Sequence, residues 1–179
     1  KLVMEHKAAT GIRNFGEYFP EEYILKASLA PRSFNQYKAK VFDGPLIDLI
    51  EQYDSAPDRA TKLDIQKQIK NLYNEFNKAS GGYLKDVKIN FDKKGISIVD
   101  NSPSFIDLSK NQIIDNVYKN IQHHNKLASA NPNALKQIKI PSNLSTTFNS
   151  GFNINLVNDL FPEVKNFFKE VGGDAGKLI

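Results

Sequence analysis

The chain contains no cysteine and no tryptophan, and only one methionine and three histidines in 179 residues. Without cysteine there is no disulfide framework, no thiolate metal site and no thiol nucleophile, so a reducing compartment is tolerated. Histidine is nearly as limiting. His123 and His124 are adjacent, and neighbours on a helix point about 100° apart, so the pair does not chelate one metal as an i, i+4 pair does; His6 is remote in sequence. No apolar run approaches the ~20 residues that span a bilayer, and the amino terminus lacks the charged-then-apolar layout of a secretion signal. The 24 basic and 20 acidic residues give a net charge of +4 and are scattered, with no basic block to track a phosphate backbone. A nucleic-acid binder is not expected. There is no Gly-x-Ser-x-Gly elbow and no Walker lysine, and Gly11 with Gly16 does not make a dinucleotide loop. Asn143-Leu144-Ser145 matches a glycosylation triplet, a match that arises often by chance.

What is present, at 40% hydrophobic residues, suffices for one core of ordinary size. "KLVMEH" alternates Leu2 and Met4 and reads as a strand that begins without a start methionine, which predicts further chain ahead of Lys1. Pro20 and the acidic Glu21 and Glu22, with Lys26 later, predict a short helix over "EEYILKASLA". "PRSFNQYKAKVF" reads as irregular, and Asp43-Gly44-Pro45 as the start of a helix over "PLIDLIEQY". A long helix follows, from about Ser55 to Ala79. Ile65, Ile69, Leu72, Tyr73 and Phe76 make its apolar stripe, and Gly81-Gly82 ends it. "VKINF", the turn "DKKG" and "ISIVD" read as a tight hairpin. Ser109 caps a helix through "NQIIDNVYKNIQHHNKLA", Asn131-Pro132-Asn133 breaks it, and "ALKQI" reads as a short helix. "PSNLSTTFNSGFN" has loop composition, and "INLVNDLF" with "PEVKNFFKEVGG" reads as helix, its Phe161, Phe167 and Phe168 filling a core.

The order of these elements resembles the C-terminal lobe of a protein kinase entered at the hinge, over roughly residues 1–109, and is similar to compact secreted bacterial effector kinases. "LVMEH" is similar to the hinge strand, and "YLKD" resembles a drifted His-Arg-Asp signature. "IVD" stands where Asp-Phe-Gly would supply its aspartate. The resemblance implies an α+β, mostly α-helical fold, a kinase C-lobe-like helical domain with a small β-hairpin, to which residues 110–179 add a helical region. It implies Asp86 as the catalytic aspartate, Asp100 and Asn90 as metal ligands, and Glu5, His6 and Lys88 as nucleotide-binding residues, with ATP and Mg²⁺ as cofactors. Two carboxylates suit that chemistry: one lies near the attacking oxygen, the other on the Mg²⁺ that bridges the phosphates.

The sequence departs from the family at identifiable places. Asn90 is four residues after Asp86, not five, and Asn101 follows Asp100 where the family has phenylalanine. No activation segment intervenes before Ser109. The glycine-rich loop, the strand lysine and its glutamate would precede Lys1, so the chain by itself is expected to be inactive. The expected partner is a protein substrate or host protein, for a soluble chain in the cytoplasm or secreted into a host cytosol. A helical partner-binding module of a larger secreted effector is the competing expectation, with the hairpin as a stabilising addition.

Overall fold

The computed structural model describes residues 15–27, 29–103 and 108–139. The expected strand over residues 1–6, the loop over 141–153 and the carboxyl-terminal helices lie outside the described residues. The described part is mostly helical with one two-stranded antiparallel hairpin, as the sequence predicts.

A single turn, α1 (Phe15–Tyr18), leads into α2 (Glu21–Ala27). Pro20 offers its carbonyl to the amides of Tyr23 and Ile24, so the proline begins the helix without needing an amide of its own. Tyr23, Ile24 and Leu25 are buried, and Phe19 stacks on Tyr23 with ring centroids 4.5 Å apart.

The segment read as irregular is helical. Helix α3 (Arg32–Lys38) passes into a π turn, Ala39–Asp43, and on into α4 (Gly44–Asp54) without an intervening loop. Phe34, Lys38, Phe42, Leu46, Ile50 and Tyr53 are all buried along this rod at helical spacing. Its apolar stripe is hard to read from sequence because Asn35, Lys38 and Asp43 occupy buried positions within it. Asp43 therefore does not start a helix: its backbone is helical and its side chain caps nothing. The π turn has a local cause. Pro45 lacks the amide that an uninterrupted helix requires, and its ring would press on the carbonyl four residues back. The Gly44 amide instead bonds the Ala39 carbonyl, five residues back, and a Cβ on Gly44 would sit 3.0 Å from that oxygen.

Helix α5 (Arg59–Ala79) starts at Asp58, whose carboxylate accepts the Thr61 amide at 2.7 Å. Ile65, Ile69 and Phe76 are buried, and Phe76 meets Phe42 and Phe34 with centroids 5.2 and 6.3 Å away. The helix ends in a Schellman motif. The Gly82 amide bonds the Asn77 carbonyl, the Gly81 amide bonds that of Lys78, and both glycines take positive φ, +71° and +92°. Asn77 also accepts the Leu84 amide through Oδ1 at 2.8 Å, which fixes the first bend of the following loop.

Strands β1 (Val87–Asp92) and β2 (Gly95–Asp100) pair in register from Val87–Asp100 to Asp92–Gly95, with Lys93-Lys94 at the tip. Gly95 has φ +130°, and Asp92 accepts the Lys94 amide, as a tight two-residue connection requires. Val87 and Ile98 face the core, while Ile89, Phe91 and Ile96 pack at its margin.

Helix α6 (Lys110–Ala130) opens with a reciprocal capping box. Ser109 Oγ accepts the Gln112 amide and Gln112 Oε1 accepts that of Ser109. Ile113, Val117, Ile121, Leu127 and Ala128 bury one stripe. After Asn131 the expected "ALKQI" helix is replaced by a single turn and then irregular chain over 135–139. The reason is a competing pairing: the Asn125 side chain accepts the Ile138 amide at 2.8 Å and donates to the Ile138 carbonyl at 2.9 Å, satisfying the backbone that a helix would have used. No helix among the described residues is long and apolar enough to cross a membrane.

Candidate functional site

The hairpin brings two carboxylates to its open end. Val87 is paired with Asp100 across the strands, and the Asp86 carbonyl accepts the Asn101 amide at 2.9 Å, so Asp86 and Asp100 leave adjoining strand ends. Asp100 is only 6% exposed. Its Oδ1 accepts the Ser102 amide at 2.8 Å in an Asx turn, while the buried Oδ2 has no hydrogen-bond partner. Asp86 is half-buried at the loop edge.

Lys26, from the last turn of α2, reaches the loop that carries Asp86. Its ammonium donates to the Tyr83 carbonyl at 2.9 Å and lies 4.6 Å from the centre of the Tyr83 ring. Burial lowers its pKa from the ordinary lysine value, and the charges of Asp100 and Asp86 oppose that shift. Tyr83 is fully buried with its hydroxyl unpaired. Its pKa is pushed well above the usual phenol value by burial, then by Asp43 and Asp100. Beneath it lies an enclosed charge cluster: Lys38 bonds Asp43 Oδ2 at 2.9 Å and the Tyr23 hydroxyl at 3.0 Å, and that hydroxyl donates to Asp43 Oδ1.

Helix α6 closes the other side. His123 Nδ1 bonds the Ser80 carbonyl and its ring meets Tyr83 edge-on, with centroids 5.5 Å apart. Burial lowers the His123 pKa, the Ser80 bond opposes it, and Lys26, Lys85 and Lys119 lower it further. Between α6, the loop after α5 and Ser102-Pro103 lies a pocket of about 290 Å³, lined by Lys26, Tyr83, Asp86, Ser102, Asn120 and His123 among others.

The remaining expected site residues fall elsewhere. Lys88 and Asn90 are exposed on β1 and line a separate open groove against α5, beside Lys70, Tyr73 and Asn74. Asn90 is paired with Ser97, so the hairpin separates it from the Asp86 and Asp100 end. Glu5 and His6 lie outside the described residues. No group of three or more His, Asp or Glu residues that could hold a metal ion occurs among the described residues. Any divalent cation here would have Asp100 and Asp86 as its protein carboxylates, the remaining ligands coming from phosphate and water.

Lys26, Asn120 and His123 belong to no sequence motif, and Tyr83 enters only as the first residue of "YLKD". Lys26 reads as a complement to a helix dipole and Asn120 as one polar residue among many. Comparison of the chain with protein-family models, curated proteins and solved structures yields no significant match.

Proposed function

We propose that the chain is the large-lobe portion of a divergent protein kinase or pseudokinase, transferring phosphate from Mg²⁺-bound ATP to serine or threonine of a protein when a small lobe is present. The observation that carries this reading is the placement of Asp86 and Asp100 at adjoining strand ends, with an unpartnered, buried Asp100 Oδ2. A buried carboxylate oxygen without a donor is costly unless something cationic satisfies it. The donor set fits Mg²⁺, which is commonly held by one or two carboxylates plus phosphate oxygens. Bound there, the ion would neutralise charge on the phosphates.

In this reading Asp100 holds the metal and Asp86 orients the substrate hydroxyl and takes its proton as the new oxygen–phosphorus bond forms and ADP leaves. Lys26 balances the two carboxylates when the metal is absent. Asn90 sits too far along β1 to join Asp100 in one metal shell: Val87 is the residue paired with Asp100, and Asn90 lies three residues further along the strand, roughly 10 Å. The protein would act in the cytoplasm or, as an effector, in a host cytosol.

The test is thermal unfolding of the full-length protein with and without ATP and Mg²⁺. The reading expects a nucleotide- and Mg²⁺-dependent rise in Tm that Asp100→Asn abolishes. A Tm indifferent to ATP and Mg²⁺ in the unsubstituted protein would leave the helical partner-binding module as the surviving reading.

A further inference from the structure

The pocket against α6 contains a second unexplained group. Residues Gln112, Asn116, Lys119, Asn120 and His123 recur at helical spacing and turn one face of α6 toward it. Asn120 is the anomaly among them. It is 4% exposed, stands in register with the buried Val117 and His124, and its Nδ2 has no hydrogen-bond partner. Across the pocket Ser102 Oγ is also buried and unpaired. A core position that holds an unsatisfied amide costs stability that an apolar residue of similar size would not.

Charge gives the ligand's sign. Lys26, Lys85 and Lys119 all line the pocket, and all three act on His123 to disfavour its protonation. Three ammoniums with two spare donors match a dianionic oxyanion better than a single carboxylate. Asp86 and Asp115 line the same space, and a carboxylate is an acceptor for a ligand hydroxyl. The volume, about 290 Å³, is at the small end for ligand sites.

We propose that this pocket binds a small hydroxylated phosphate monoester, its phosphate on Asn120, Ser102, Lys26 and Lys119 and a hydroxyl on Asp86. The site shares Asp86 with the phosphoryl-transfer reading but rests on the pocket alone.

Glycerol 3-phosphate titrated into the full chain is the test, without nucleotide or divalent cation and in about 0.15 M salt, where exposed lysines hold anions weakly. The expected result is saturable binding by calorimetry, with the Asn120 side-chain amide resonances moving in the same titration. Asn120→Leu is expected to abolish binding while raising the Tm of the unliganded protein, and Lys119→Gln to weaken it about tenfold, the loss of one charge-assisted bond. Lys93→Gln, at the hairpin tip, is expected to bind as the unsubstituted chain does. If Asn120→Leu does not fold, Asn120→Asp decides, since a carboxylate there must repel the phosphate. Absence of saturable binding, equal binding of plain glycerol, undiminished binding by the Asn120 variants, or equal weakening by Lys93→Gln and Lys119→Gln each overturns the proposal. Such a failure leaves the ATP and Mg²⁺ experiment unaffected, and failure of that experiment leaves this site standing.

Discussion

Lys38 and Asp43 form an ion pair, Nζ to Oδ2 at 2.9 Å, with both side chains wholly removed from solvent. Burial penalises each charge, raising the Asp43 pKa and lowering that of Lys38, and their mutual attraction opposes both shifts. The Tyr23 hydroxyl completes the cluster, bonding both partners. The pair spans the π turn, and the bonds of Tyr23 tie that part of the rod to α2.

Removing one partner strands the other. Lys38→Met or Asp43→Asn is therefore expected to destabilise the chain by about 3–5 kcal/mol in urea unfolding. Joint replacement, Lys38→Met with Asp43→Leu, is expected to recover most of that loss, because no unpaired charge remains in the core. A double variant as unstable as either single one would assign the cost to packing instead.

Tyr73 holds the loop that carries Asp86. Its hydroxyl lies 2.7 Å from the Leu84 carbonyl and 2.8 Å from that of Val87, and one proton serves both. Tyr73→Phe is expected to cost about 0.5–1.5 kcal/mol. Amide exchange at Leu84 and Val87 should quicken by more than exchange in the middle of α5, since the lost bond restrains the loop and not the helix.

Gly82 separates backbone strain from crowding. A Cβ there meets nothing within 4 Å, yet φ is +92°. Gly82→Ala is expected to cost about 1–2 kcal/mol through the left-handed backbone alone. Chemical denaturation that finds Gly82→Ala neutral would mean the Schellman turn relaxes without penalty.

The two α6 histidines make folding sensitive to acid. Burial lowers both pKa values; for His123 three lysines add to this, while bonds to Ser80 and Asn125 oppose it at His123 and His124 respectively. A base whose folded pKa is depressed resists protonation in the native state, so its contribution is complete above the unfolded value of about 6.5 and is lost as pH falls below it. The Tm should decline from about pH 6.5 downward, and His124→Gln should flatten part of that decline. A Tm unchanged between pH 7 and the lowered folded pKa values would contradict the burial seen here.

Local signals were enough for several elements. The stripe of Ile65, Ile69 and Phe76, the glycine pair after Ala79, the hairpin turn and the Ser109 cap each draw on residues within a few positions of one another. The rod from Arg32 to Asp54 was hidden because its core face includes Lys38 and Asp43, whose burial is tolerable only once they meet each other and Tyr23. The "ALKQI" segment misled for a related reason. Its helical pattern is local, but Asn125, a turn and a half back along α6, captures its backbone.

Asp86 and Asp100 were legible as a pair because a hairpin of known register returns its second strand to the start of the first. Composition by itself excluded thiol chemistry, since no cysteine exists to supply it. Pattern by itself determined the long helices, the cap residues and the hairpin, because helix and strand periods are properties of neighbouring residues. Only the tertiary structure decided that Lys26 meets the Tyr83 carbonyl, that Asn90 is held away from the Asp86 and Asp100 end, and that Asn120 and Ser102 line one pocket with unmet donors. Those relations join residues far apart in the chain, and their energies depend on burial, which no local period encodes.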